Sequence, residues 1–411
     1  MHTDFFIEVF KENPNDDAIV WRDRRFSYEW LLARIEHWTK EIERQALEHG
    51  SVVAIEADFS PNAVALFFAL IEFDATIVPL TKAVEKHKEK FLEIAECEWL
   101  VEIDEKDEGT FRKLDRRATH EYFQTLRERK HPGVVVFSSG TTGKHKASVH
   151  DLVPLLEKFR VRRHKRRAVT FLLYDHLGGV NTMLYILSNG GCVVTVQDRD
   201  PDSVLAAVEK FEVDMLPTSP TFINLMIFGE AYKRHDLRSL KLVTYGTEPM
   251  PESTLKRFTE LFPDIKLQQT YGLSETGVMR SKSKSSDSLW VKVGGEGYEW
   301  RVVEGILQIK SKSAMLGYLN APSPFTDDGW LVTGDQVEVD GEWLKILGRK
   351  SEMINVGGQK LYPAEVESVV QEMDNVVEVT VYGEKNPITG SMVCATVRLR
   401  EDEEKKAFTK R

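Results

Sequence analysis

Cysteine is scarce in this chain of 411 residues. There are three, Cys97, Cys192 and Cys394, odd in number and far apart. That excludes a disulfide scaffold and a cysteine-ligated zinc site, and it fits a reducing compartment. No uninterrupted apolar run is long enough to span a bilayer. Met1 to Phe10 lack a basic start followed by an apolar core, so no signal peptide is expected and the predicted location is cytoplasmic. Positive charge is not in excess. Lys and Arg number 55 against 65 Asp and Glu, and the net charge of −10 argues against nucleic acid as the main partner. Internal repeats and low-complexity tracts are missing as well. One basic cluster runs against the average: Arg160, Arg162, Arg163, Lys165, Arg166 and Arg167. A solvated surface is the favoured reading. The other is a docking patch for a phosphate-rich tail or an acidic carrier protein.

What is present can fill a large core. Hydrophobic residues make up 42% of the chain, and its length calls for more than one domain. Ser27 is placed to cap a helix whose apolar residues Trp30, Leu31, Ile35, Trp38 and Ile42 form one face. Ser51 to Ile55 reads as a strand, and Ser60-Pro61 starts a second helix. Thr76–Pro79 and Trp99–Ile103 read as strands around a helix from Val84 to Ala95. Ala168–Leu173, Cys192–Val196, Met215–Pro217, Leu242–Tyr245 and Leu267–Thr270 continue the alternation, with helices from about Asn181 and over Ser203–Phe211. Alternating strands and helices predict an α/β fold with mixed, mostly parallel sheets covered by helices. From about Ser281 to residue 348, short strands punctuated by glycine predict a β subdomain. A small α+β unit follows, with a turn at Gly357-Gly358, a helix opened by Pro363, two strands, and a further helix expected from Asp402.

The most informative stretch is Val134-Val135-Val136-Phe137 running into Ser138-Ser139-Gly140-Thr141-Thr142-Gly143-Lys144. A buried strand ends in small, hydroxylated and glycine residues with a lysine. Such a loop can hold a polyphosphate: glycines let backbone approach an anion, amides and hydroxyls donate, and lysine brings charge. It is not a Walker loop, because only two residues separate its glycines and His145 follows the lysine. Its position at the carboxyl end of a strand is where ligands of open α/β sheets bind.

Five segments in order now support a resemblance: Ser138 to Lys146; Tyr174-Asp175-His176; Tyr271-Gly272-Leu273-Ser274-Glu275-Thr276-Gly277; Thr333-Gly334-Asp335; and Gly348-Arg349-Lys350 through Gly357-Gly358-Gln359-Lys360. The chain resembles the adenylate-forming superfamily of acyl-CoA synthetases, luciferases and nonribosomal peptide adenylation domains. Within it, the chain looks like a compact stand-alone acyl- or aryl-CoA ligase. The resemblance implies ATP-dependent activation of a carboxylic acid, with release of pyrophosphate. The acyl group then passes to a thiol, that of CoA or of a carrier-protein phosphopantetheine.

The roles it implies are these. Ser138, Ser139, Gly140, Thr141, Thr142, Gly143 and Lys144 would wrap the β- and γ-phosphates, with Lys146 as a second lysine. Glu275 would bind Mg²⁺, and Ser274, in place of the usual threonine, would reach the α-phosphate. Tyr271 would stack on adenine opposite Gly246, Thr247 and Glu248. Asp335 would accept from the ribose, with Arg349 as a donor. His176 would approach the substrate carboxylate in a pocket drawn from Gly179, Asn181, Thr218, Gly246, Gly272 and Leu273. Lys144, His176, Glu275 and Lys360 are the implied catalytic residues. Taken singly, Asp335 also reads as a turn residue, Glu275 as a helix-start carboxylate, Tyr271 as a core aromatic, His176 as a surface or core histidine and Lys360 as a solvated turn lysine.

The large domain is expected over 1–348 and a small, mobile domain over 349–411, hinged at Lys350. No segment before Arg411 matches the proline-flanked Gly-Lys with which such chains usually end. Lys405, Lys406 and Lys410 lie in a charged tail, so the small domain is expected to be truncated and adenylation weakened by about 10²–10³. The rivals are a non-catalytic or half-reaction nucleotide- or acyl-binding module, an amino-acid adenylation domain, and a plain ATPase or kinase. No carboxylate stands where it would pair with an amino group, which disfavours amino acids. Aromatic, fatty and small branched acids all stay open.

Overall fold

The computed structural model describes residues 1–139, 145–356, 358–373, 375–386, 390–403 and 408, with Ser139 as backbone only. Three layers of helices alternate with two seven-stranded sheets. The first sheet runs Lys266–Gln269, Leu242–Tyr245, Met215–Thr218, Arg167–Val169, Cys192–Val194 and Asp17–Trp21, all parallel, and closes with the antiparallel strand Arg24–Ser27. The second has a parallel centre of Gly133–Ser139, Thr76–Leu80, Val52–Glu56 and Trp99–Ile103. Antiparallel His145–Asp151, Gly317–Tyr318 and Gly109–Lys113 complete it.

Strand residues face alternate layers. Val53 and Ile55 join the middle helical layer, whereas Val52 and Ala54 join the outer one. The middle layer holds Tyr28–Arg44, Pro61–Glu72 and Leu177–Ser188. From Pro61 to Ile71 every residue is buried, as an all-round apolar helix between two sheets requires. Its start is fixed as expected: Ser60 accepts from the Ala63 N–H, and Pro61 occupies the first turn. Ser27 likewise accepts from the Trp30 N–H.

Three expectations shift. The span Val84–Ala95 is a 3-10 helix over Lys82–His87 followed by an α-helix over Lys88–Ile94, since Val84 is the one apolar residue of a charged first half. The strand expected over Ala168–Leu173 is only Arg167–Val169, because its partner Cys192–Val194 is equally short. The helix expected from Asn181 begins at Leu177 and runs through Gly178-Gly179. A Cβ on Gly179 would lie 2.1 Å from the Leu173 carbonyl oxygen, so close backbone packing there outweighs glycine's poor helix propensity.

Beyond the two sheets, a six-stranded antiparallel sheet spans Arg280 to Arg349. Then come the 3-10 turn Lys350–Glu352 and a four-stranded sheet packed on the helix Pro363–Val370. The helix expected from Asp402 falls mostly outside the described residues. Among the described residues, no helix is long and apolar enough to cross a membrane.

Candidate active site

Ser138, Thr218, Gly246 and Tyr271 stand at or just past the carboxyl ends of parallel strands, and Tyr271 joins that end to Asp335 of the six-stranded sheet. Ser138 sits opposite Lys146 in the antiparallel register. Gly140, Thr141, Thr142, Gly143 and Lys144 lie outside the described residues, as do Gly357, Lys405, Lys406 and Lys410. Gly272–Leu273 and Gly277–Val278 form a short hairpin. The turn between its strands carries Ser274 and Glu275.

That hairpin is held from three sides. Tyr318 donates its hydroxyl to the Glu275 carboxylate, and Lys146 lies 5.1 Å from the centre of the Tyr318 ring. The Met315 N–H donates to the Glu275 carbonyl at 2.7 Å. His150 Nε2 lies 2.5 Å from the Ser274 carbonyl oxygen. A carbonyl only accepts, so Nε2 carries the proton and Nδ1 is the bare nitrogen. Burial draws the His150 pKa from 6.5 to about 4, which keeps the ring neutral. Burial, reinforced by Glu275, pushes the Tyr318 phenol far up, so it stays a donor.

A second carboxylate–phenol pair lies on the other flank. The Tyr271 hydroxyl donates to Asp335 at 2.5 Å, and Arg349 Nε stands 3.5 Å from the same carboxylate. Asp335 faces Arg349 across the strand pair and is 6% exposed. Burial raises its pKa, while Tyr271 and Arg349 pull the other way. Tyr271 is 8% exposed and belongs to the apolar cluster under the six-stranded sheet.

Glu248 accepts from the Thr221 N–H at 2.7 Å and thereby serves the first turn of the helix Pro220–Phe228. Thr247 is exposed at φ +74. Gly246 packs closely: a Cβ would lie 2.7 Å from the Thr270 hydroxyl. Thr218 is buried, and its hydroxyl has no hydrogen-bond partner; the same holds for the Asn181 side-chain oxygen. His176 is exposed at the start of the helix Leu177–Ser188. Gly179 is buried, and its packing accounts for it, whereas Gly178 lies on the half-buried face. Lys360 is exposed, opposite Asn355 in the small sheet.

The sequence matches the AMP-binding enzyme family over residues 6–319 and that family's C-terminal domain over 365–411. The chain belongs to the AMP-binding enzymes. It is similar to the indoleacetate–CoA ligase of Aromatoleum aromaticum, 27% identical, with 93% of this chain and 85% of that protein covered. Its match to 4-coumarate–CoA ligase-like 9 of Arabidopsis thaliana is 28% identical and spans 63% of this chain but about half, 51%, of that protein. Among solved structures, the anthranilate CoA ligase AuaEII in complex with anthranoyl-AMP shares the fold. Its TM-score is 0.81 at 19% identity, covering 98% of this chain and 89% of that one.

Sequence reasoning gave no role to four residues that brace the segments around the candidate site, Asp175 among them although it lies within a motif. Tyr318 and His150 brace the hairpin from 43 and 124 residues away. Lys158 donates to the Val278 carbonyl at 2.9 Å. Asp175, buried beside His176, accepts from the Thr81 hydroxyl at 2.7 Å. A glycine before Tyr318 was the one local signal: a Cβ on Gly317 would lie 2.2 Å from the Tyr122 hydroxyl oxygen. The basic cluster is largely neutralised. Arg160 pairs with Glu157 at 2.9 Å, Lys165 with Asp16 at 2.5 Å, Arg166 with Asp214 at 3.2 Å and Arg167 with Asp17 at 3.0 Å, and Arg162 pairs with Glu12.

Proposed function

We propose that this AMP-binding enzyme is an ATP-dependent acid–thiol ligase. One observation carries the reading: the carboxylates of Glu275 and Asp335, distant in sequence, lie close enough for one to act on the other, and each accepts from a tyrosine hydroxyl. A carboxylate oxygen of the acid attacks the α-phosphorus of ATP, and the α–β bridging bond breaks, releasing pyrophosphate. A thiol then attacks the acyl carbon, AMP leaves with the bonding pair, and the thiol proton goes to solvent. CoA is the proposed thiol, with a carrier-protein phosphopantetheine as the variant.

The residues share the electrostatic work. His176, exposed at its helix start, donates to the incoming carboxylate. Lys146 faces the phosphate side beside Ser138, and Ser139 to Lys144 complete the phosphate cradle. Ser274 reaches the α-phosphate. Asp335 and Arg349 hold the ribose, and Tyr271 with Gly246, Thr247 and Glu248 frames the adenine. Gly179, Asn181, Thr218, Gly272 and Leu273 bound the acyl group.

The chemistry present fits Mg²⁺. Tyr318 takes one oxygen of Glu275, leaving hard carboxylate capacity, and no cluster of three ligating side chains exists among the described residues. Glu275 would be the side chain that holds the cation. The chemistry it would supply there is neutralisation of phosphate charge. The large unit is proposed as 1–348, with its β subdomain over about 281–348. The small unit is 349–411, turning at Lys350 to bring Lys360 to the thiol step. A cavity of about 450 Å³ lined by Glu248, Glu352, Tyr362 and Glu367 lies between them. The cysteines are free thiols, in keeping with a cytoplasmic setting.

Isotope exchange between pyrophosphate and ATP tests the reading. Exchange that requires an added carboxylic acid supports it. Acid-independent release of inorganic phosphate, or no exchange with any acid, overturns it.

A further inference from the structure

A cavity of about 610 Å³ opens away from the candidate active site, and no residue that lines it belongs to that site. Its walls are the outermost strand of each large sheet, Arg24–Ser27 and Gly109–Lys113, and one face of the helix Tyr28–Arg44. The helix contributes Trp30, Arg34, Trp38 and Glu41, at the three- and four-residue spacing of a single face. The volume is that of a small-molecule site.

Aromatic rings dominate the lining. Phe26 and Trp30 meet edge to face, 4.6 Å between centroids, and Trp38 lies 5.9 Å from Phe111. Trp30 and Phe111 are half-buried, which leaves ring surface open to a ligand. The polar floor is already satisfied. Trp38 Nε1 donates to the Asn62 side-chain oxygen at 2.9 Å, and the backbone and side-chain N–H groups of Asn62 donate to the Asp107 carboxylate at 3.1 Å. Arg44 takes Glu41 at 2.7 Å. Of the three acids that line the cavity, that leaves Glu108, which is exposed.

The cations are in a different position. Arg24 stands over the Phe26 ring and Arg34 over the Trp30 ring, each guanidinium 5.2 Å from the ring centre. One abutting ring pair thus carries both groups, and stacking holds their donor forks in place. Among the described residues, neither arginine has a carboxylate in ion-pair range, although Arg34 acts on Asp107 from farther off. Arg25, next to Arg24 on the same strand, does pair, with Asp17 at 2.9 Å. Lys106 adds a third lining cation with no such partner, so positive charge exceeds negative in the cavity. Arg24 is exposed and Arg34 half-buried. Hydrated cations attract an anion only modestly, so the rings supply most of the affinity and the arginines decide the charge.

We propose that this cavity is a ligand site separate from the active site, and that it takes a small aromatic anion. The flat ring system lies among Trp30, Trp38 and Phe111, and the negative group turns to Arg24 and Arg34. The inference does not depend on the ligase reading, because the two sites share no residue.

Isothermal titration of the whole chain tests it, at low ionic strength, where exposed charges are least screened. The probes are naphthalene-2-sulfonate, its neutral near-isostere naphthalene-2-sulfonamide, and methanesulfonate, which has the anion without the ring. The naphthalene sulfonate should bind about tenfold more tightly than the sulfonamide and far more tightly than methanesulfonate. The double variant Arg24→Gln/Arg34→Gln should erase the preference for charge while leaving sulfonamide affinity unchanged. Trp30→Leu should weaken both ring ligands by about fivefold or more. Phe111→Leu, on the opposite wall, repeats that measurement should Trp30→Leu fail to fold. Equal affinity for sulfonate and sulfonamide would overturn the inference. So would a preference that survives the loss of both arginines, a double variant that loses both ring ligands together, methanesulfonate binding as tightly as the naphthalene sulfonate, or no binding of either ring.

Discussion

The two carboxylates at the site have the same kind of partner and different surroundings. Asp335 is almost wholly buried, lies among core side chains, and has Tyr271 and Arg349 to hold it. Glu275 is half-buried on a hairpin turn, with Tyr318 on one oxygen and a brace of backbone contacts behind it. Burial makes Asp335 a fixed acceptor, suited to a neutral hydroxyl. Partial exposure leaves Glu275 able to accept a hydrated cation without the full cost of dehydrating the charge. On the proposed reading, one partner chemistry serves two purposes, and depth decides which.

Glu275→Gln breaks the comparison most directly. It keeps the shape and removes the charge, so acid-dependent pyrophosphate exchange should fall by about 10²–10³. Unchanged exchange would refute the assignment. The brace behind Glu275 is next. Because folding lowers the His150 pKa from 6.5 to about 4, the unfolded chain binds the proton more tightly. The neutral ring's advantage is fully present above pH 6.5 and is lost as pH falls towards 4, a change of about 3 kcal/mol. His150→Gln should therefore lose less stability than the parent between pH 7.5 and 4, read from denaturant midpoints. Equal losses would count against a buried neutral ring.

Asp335→Asn should weaken ATP binding by about 10–100-fold, measured as KM for ATP, with little change in KM for the acid. A change confined to the acid would move Asp335 away from the nucleotide. The smallest effect sharpens the contrast. Tyr318→Phe removes one hydroxyl from a half-buried carboxylate and should cost about three- to tenfold in Mg·ATP affinity. Melting curves with and without Mg·ATP would read it as a reduced ligand-induced shift. A loss as large as that of Glu275→Gln would make Tyr318 more than a support.

Sequence reasoning reached what is local and periodic. The apolar run Val134–Phe137 announced the strand before the phosphate-type loop, and Ser27 and Ser60-Pro61 announced helix starts by side-chain capping. It misplaced the start of the helix at Leu177 because two glycines argue against a helix unless close packing demands one. The carboxylates were legible through their motifs, but their supports were not. Tyr318, His150 and Lys158 each act across more than forty residues of chain, and no spacing rule connects a phenol at 318 to a glutamate at 275. The pairings of Arg162, Arg166 and Arg167 were equally hidden, since their carboxylates, Glu12, Asp214 and Asp17, lie far away in sequence.

Gly179 carries a consequence for anyone hoping to retune this enzyme. A Cβ there would meet the Leu173 backbone, so the helix is seated at a fixed depth, and on the proposed reading the acyl wall cannot be moved as a body. On that reading, new preferences would come from swapping residues of the helix's half-buried face, positions 178, 181, 182 and 185. A library restricted to those four places would search ligand choice while leaving the scaffold alone.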